Sequence, residues 1–158
     1  LGPIAVNITQ SSISDTGCIR WLSNKMKSHQ SLSDRILFEL PEISFIKHSN
    51  DTDLLCEMIH QNNFEFGIDN FGHNFGSLSN LNKLRPAYVK LDFAYTNQID
   101  DEAKADLLTS ITRTANNLSI VTIASRVETT KQQEKLAALM VKGFQGFVVD
   151  EMNNEKTV

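Results

Sequence analysis

Short runs rich in β-branched and aromatic residues alternate along the chain with longer stretches of helical period. The strand-like runs cover residues 3–9 (PIAVNIT), 35–41 (RILFELP), 64–69 (FEFGID), 87–92 (AYVKLD), 119–125 (SIVTIAS) and 143–149 (GFQGFVV). Between them, residues 15–29 place Cys18, Trp21, Leu22 and Met26 on one helical face. Residues 51–62 do the same with Leu54, Leu55, Met58 and Ile59, and residues 101–118 with Leu107, Leu108, Ile111, Ala115 and Leu118. Residues 129–141 contribute Leu136, Leu139 and Met140. Asp15, Asp51 and Asp101 stand near the predicted helix starts, where a carboxylate caps free N–H groups and suits the helix dipole. A shorter helix is expected around Leu78 to Leu84, ended before Pro86.

Repeated β-α-β units imply parallel strands joined by helical crossovers. The fold class is α/β, either a (βα) barrel or an open doubly wound sheet. A complete (βα)8 barrel needs ~250 residues, so about six strands in 158 residues predict a partial barrel. The chain reads as one domain over residues 1–158, expected to be N-terminally incomplete because it opens directly on a strand. Open strand edges would then need a partner segment, a second copy or a longer parent chain.

Composition narrows the function classes. Hydrophobic residues make up 41% and charged residues 22%, as in ordinary globular chains. No apolar run reaches the ~20 residues of a membrane span. The net charge of −4 argues against a broad nucleic-acid surface. Cys18 and Cys56 fall on apolar helix faces and read as reduced core thiols of a cytosolic protein.

The chemistry gathers at strand ends. Asn7 lies near the end of the first strand, Glu39 and Glu42 close the second, and Asp69 and Asn70 the third. Lys90 and Asp92 close the fourth, and Ser125 and Arg126 follow the fifth. C-terminal strand ends form the functional face of parallel barrels. A ring of Asn, Glu, Asp and Lys there suits hard metal ions and phosphate. Strand alternation puts Tyr88, Lys90 and Asp92 on one side and Val89 and Leu91 on the other. An interior lysine needs a partner, for which Asp92 or a neighbouring acid is available.

The stretches VNIT, FELPE, IDNFG…FGSLSNL, YVKLD, IASRVET and FQGF follow one another in the order and spacing of the EAL-type cyclic di-GMP phosphodiesterase family. The resemblance runs over essentially the whole chain, but the Glu-Ala-Leu stretch that names the family is not in it. It implies a modified (βα)8 barrel and two-metal hydrolysis of a phosphodiester. By resemblance, Asn7, Glu39 and Asp69 match metal ligands, and Glu42 matches the acid that braces the loop after the Asp pair. Lys90 matches the lysine close to the attacking water. Glu128 matches the second Glu of a Glu-Gly-Val-Glu element, and Gln145 the Gln before the family's Gly.

Three positions depart from the family pattern. Asn70 replaces the second Asp, Ser125 the first Glu of the Glu-Gly-Val-Glu element, and Arg126 the Gly after it. Two divalent ions ~4 Å apart repel by roughly 16 kcal/mol at an effective dielectric of 20, and only a dense carboxylate set offsets that. The expectation is a degenerate, catalytically inactive domain that requires no cofactor and holds at most one weakly bound Mg²⁺ or Mn²⁺ through Asn7, Glu39 and Asp69. Lys90, Arg126, Asp92 and Gln145 are its candidate contacts to cyclic di-GMP, with Phe71, Phe75 and Phe93 as stacking surface. Arg126 could instead pair with Glu128 or Asp69. The resemblance extends to two degenerate branches, the LapD-type receptors and the CsrD/MshH-type regulators. Both imply an upstream GGDEF domain and a cytoplasmic location. A homodimer through the 101–118 helix is plausible on the same ground, and direct nucleic-acid binding is not expected. Residual phosphodiesterase activity and a protein or RNA regulator that binds no nucleotide are the alternatives.

Overall fold

The computed structural model describes residues 2–73 and 81–148. Six strands form one sheet: β1 (Ile4–Asn7), β2 (Ile36–Pro41), β3 (Glu65–Phe71), β4 (Tyr88–Leu91), β5 (Val121–Ala124) and β6 (Gly143–Phe144). Every neighbouring pair is parallel, and the spatial order is the chain order. A doubly wound sheet reverses its strand order at a switch point. This sheet has no reversal, so crossovers of one hand place the helices on one face. The result is an open arc of a (βα) barrel, six parallel strands alternating with helices.

The helices follow from caps and apolar stripes. Asp15 accepts from the Gly17 and Cys18 N–H groups and starts α2 (Thr16–Ser28), after the short α1 (Gln10–Ile13). A short α3 (Ser44–Lys47) leads into α4 (Ser49–Gln61). There Asp51 lies in the first turn, and the cap position, His48, has no side-chain capping bond. Next come α5 (Leu81–Leu84) and α6 (Phe93–Asn97). Asp101 caps α7 (Glu102–Asn117) through the Lys104 N–H, and Thr129 with Gln132 forms a capping box on α8 (Thr130–Ala138). The expected helix start at Leu78 and residue 149 of the expected last strand lie outside the described residues.

The core lies between sheet and helices. Phe66, Ile68, Val89, Leu91 and Ala124 are buried from the sheet side, and Leu55, Ile59, Leu108, Ala115 and Leu136 from the helices. Three residues expected on core faces are exposed instead: Trp21 at 59%, Leu54 at 64% and Met140 at 51%. Trp21 and Leu54 are on the outer parts of their stripes, Trp21 lining an open apolar groove with Val6, Leu22, Ile36 and Phe38. Met140 follows the end of α8 in a left-handed backbone (φ 68°) that turns it off the helix face. Cys56 is buried and Cys18 half-buried, and both are free thiols. Burial pushes the Cys56 thiol up, so it stays protonated. Among the described residues no helix is long and apolar enough to cross a membrane.

The opposite sheet face holds the polar residues. Pairing register aligns Asn7 with Glu39, Glu39 with Gly67, and Gly67 with Tyr88. Gly67 has no side chain, and a Cβ there would fall within the Tyr88 ring. The ring therefore lies flat across the strand, and its hydroxyl donates to Glu39 Oε1 at 2.7 Å. Burial first, and the bond to Glu39 second, raise the Tyr88 hydroxyl well above its ordinary value. It remains a donor throughout the neutral range.

Two expected outcomes follow from this packing. Gly146 has φ 149°, and a Cβ there would collide with the Val127 backbone. Gly146→Ala should cost ~1–3 kcal/mol in urea denaturation, whereas Gly2→Ala, with open space around it, should change nothing. For Tyr88 the folded-state value lies above the unfolded one, so its contribution is complete below pH ~10 and fades as pH rises towards the folded value. Above pH ~10 the wild type should lose up to ~1.4 kcal/mol per pH unit more than Tyr88→Phe. Parallel slopes in denaturation series from pH 8 to 11 would contradict this.

Candidate functional site

The charged residues on the polar face gather towards the C-terminal ends of β1 to β4, a cluster we term the cup. Glu39, on β2 between β1 and β3, is 3% exposed. Lys90, on β4, reaches it with Nζ 2.7 Å from Oε1 and 3.0 Å from Oε2. With the Tyr88 hydroxyl, both carboxylate oxygens are engaged. A carboxylate this deep is costly unless paired, and the arrangement supplies both a cation and a second donor. The partner of Lys90 is thus Glu39 and not Asp92.

Asp69 and Asn70 sit where β3 leaves the regular ladder. Ile68 pairs with Val89 and Phe71 with Leu91, so β3 holds one residue more than β4 over this span. Such a bulge re-aims side chains at a strand end. Asn70 takes the strained position, at φ 54°, a conformation that Asn and Asp tolerate better than most residues. Its amide donates to Asp69 Oδ2 at 3.2 Å. Glu42, 1% exposed, accepts from the Gly72 N–H at 2.9 Å and so ties down the turn that follows. Tyr95 adds a hydrogen bond to the Gly72 carbonyl.

The other expected residues take varied places. Asp92 caps α6 by accepting from the Ala94 N–H at 2.8 Å, and its other oxygen lies 3.3 Å from His73 Nδ1. Ser125 donates to the Leu91 carbonyl. Arg126, at φ 55°, stacks its guanidinium 4.8 Å from the centre of the Phe93 ring. Among the described residues it forms no ion pair with Glu128 or Asp69. Glu128 and Gln145 are exposed, as is Asn7 on edge strand β1. The Gln145 backbone joins β5 to β6 by bonds with Ala124 and Val127. Phe71 is wholly buried in the core and offers no stacking face, and Phe75 lies outside the described residues. Tyr88, His73 and Tyr95 were not singled out as site residues. Position two before Lys90 on the same strand face was the available signal for Tyr88.

The donor set does not fit a pair of divalent ions. Glu39 already serves Lys90 and Tyr88, and amide or hydroxyl groups stand at residues 70 and 125. Among the described residues no three His, Cys, Asp or Glu side chains are grouped closely enough to hold an ion.

Comparison with known proteins gives the context. The family model of the EAL domain matches residues 2–151. The S helix-GGDEF-EAL part of LapD from Vibrio cholerae, solved bound to c-di-GMP, is 46% identical and superposes with a TM-score of 0.89 over 94% of this chain and 36% of that one. MucR from Pseudomonas aeruginosa, a bifunctional diguanylate cyclase/cyclic di-GMP phosphodiesterase, is 25% identical over 92% of this chain and 22% of its own length. The MucR phosphodiesterase structure, a c-di-GMP complex, has a TM-score of 0.81 and covers 92% of this chain and 59% of that one. The chain thus spans about a fifth to three-fifths of the length of these relatives. With the matched span covering nearly all of the sequence, and six in-order parallel strands beneath it, the chain belongs to the EAL domain family.

Proposed function

We propose that this chain is a cyclic di-GMP receptor domain that binds the dinucleotide without hydrolysing it. The observation that carries the reading is the engagement of Glu39 by Lys90 and Tyr88. In this family the acid would serve a metal. Here it neutralises a lysine, and the acids that would help it are replaced at Asn70 and Ser125. The ligand's phosphates then need cations from the protein. An ammonium carries three N–H groups, and the two contacts with Glu39 leave one for a phosphate oxygen. The likeness to the c-di-GMP-bound LapD structure supports the same reading. By that likeness the domain follows a GGDEF domain in a signalling protein and works in the cytoplasm, with no requirement for a metal cofactor.

Titration calorimetry of cyclic di-GMP, with and without Mg²⁺, alongside a product assay, tests the reading. Micromolar or tighter binding without linear dinucleotide is expected. Metal-dependent product would make the domain an enzyme, and absence of binding would make it a protein or RNA regulator. Removing one partner of a buried pair leaves the other uncompensated, so Lys90→Met should cost ~3–5 kcal/mol of stability. The double variant with Glu39→Gln should recover most of that loss in thermal denaturation. Finally, Asn70→Asp with Ser125→Glu should bind Mn²⁺ at least ~10-fold more tightly than the wild type by electron paramagnetic resonance, because two carboxylates return to the cup. Unchanged affinity would show that these two positions are not what limits metal binding.

A further inference from the structure

Beside the cup, and lined by none of Asn7, Glu39, Asp69 or Lys90, lies a recess of about 590 Å³. It is bounded by the turn at Gly72 and His73, by α6, by Lys104 at the start of α7, and by Arg126 after β5. Two cations in it are held against aromatic faces. Arg126 lies over Phe93, and the Lys104 ammonium is 5.4 Å from the centre of the Tyr95 ring. The one carboxylate in the lining, Asp92, is already engaged by the Ala94 N–H and His73. Among the described residues neither Arg126 nor Lys104 has a carboxylate within 4.0 Å. Among the described residues the recess thus holds two cations against one carboxylate, and that carboxylate is turned to the Ala94 N–H and His73 rather than to either cation.

We infer that this recess is a binding site for a nucleotide, separate from the cup. A guanidinium held over Phe93 keeps its N–H groups free of other side chains among the described residues, a ready fork for a phosphate. Its free face is a platform on which a planar base stacks. Lys104 supplies a second charge for the phosphate, and the Asn97 and Gln98 amides, both in the lining, can meet polar base edges. The volume falls within the ~300–1,000 Å³ usual for small-molecule sites. The left-handed backbone at Arg126 contributes directly, because it turns this side chain towards α6 and away from the acids of the cup. The occupant is a purine mononucleotide or a second molecule of the cyclic dinucleotide, both of which present phosphate and a planar base. This site stands independently of the receptor reading of the cup.

The test follows the fluorescence anisotropy of a fluorescent GMP analogue added to the whole chain. Saturable binding below 1 mM is expected, since roughly −4 kcal/mol corresponds to that affinity. Arg126→Asn, which tolerates the left-handed backbone, and Lys104→Ala should each weaken it about tenfold or more. The Glu39→Gln/Lys90→Met variant should leave it intact. Displacement by GMP but not by cyclic di-GMP would identify a mononucleotide site, and displacement by both a dinucleotide-competent one. Displacement by millimolar inorganic phosphate alone, with no preference for nucleotide, would overturn the nucleotide assignment. So would absence of binding, or binding lost in the cup variant and kept in Arg126→Asn and Lys104→Ala.

Discussion

Glu39 is a charge held out of water on an inner strand of the sheet, and the polar face of the molecule is arranged around that fact. Such a carboxylate survives only with donors on both oxygens. The donors come from one strand, β4, because strand alternation points Tyr88 and Lys90 to the same side. Tyr88 can lie across the sheet only because residue 67 is a glycine. One buried charge therefore ties together three strands through four residues.

The bulge at Asp69 and Asn70 is the second organising element. It lengthens β3 by one residue and turns the chain so that the Gly72 N–H meets Glu42 and its carbonyl meets Tyr95. Asparagine at residue 70 keeps this geometry, since it accepts the left-handed conformation much as aspartate does. What it removes is a negative charge. An amide at residue 70 thus fits the backbone of the bulge while adding no charge beside Asp69.

Charge is then distributed in two neighbouring places. The cup pairs its lysine with an acid and is close to neutral at its base. The recess bounded by α6 sets its two cations against rings, and among the described residues neither has a carboxylate within 4.0 Å. The two differ because Arg126, on a left-handed backbone, is carried over Phe93. A flexible arginine on an ordinary strand end would have had Asp69 and Glu128 within its options.

Much of this was legible in the residue pattern. Six strands, four main helices and the Asp15, Asp101 and Thr129 helix starts follow from periodicity and capping chemistry, which are local. The position of the polar residues at strand ends could also be read from alternation, which depends only on spacing. The resemblance to the EAL family rested on short motifs in a fixed order and needed no coordinates. What local pattern did not decide was partnership. Barrel against doubly wound sheet depended on strand order. Lys90 chose Glu39 over the nearer Asp92 because the cross-strand register brings β2 opposite β4 through the gap at Gly67, while Asp92 turned to cap a helix that periodicity had not indicated. Trp21 and Leu54 were misplaced because helical period fixes which side a residue faces and not what covers it. Sequence by itself determined which residues are polar, apolar or conformationally special. Only the tertiary structure decided which of them meet, because contacts between residues distant in the chain are set by register and strand order rather than by spacing.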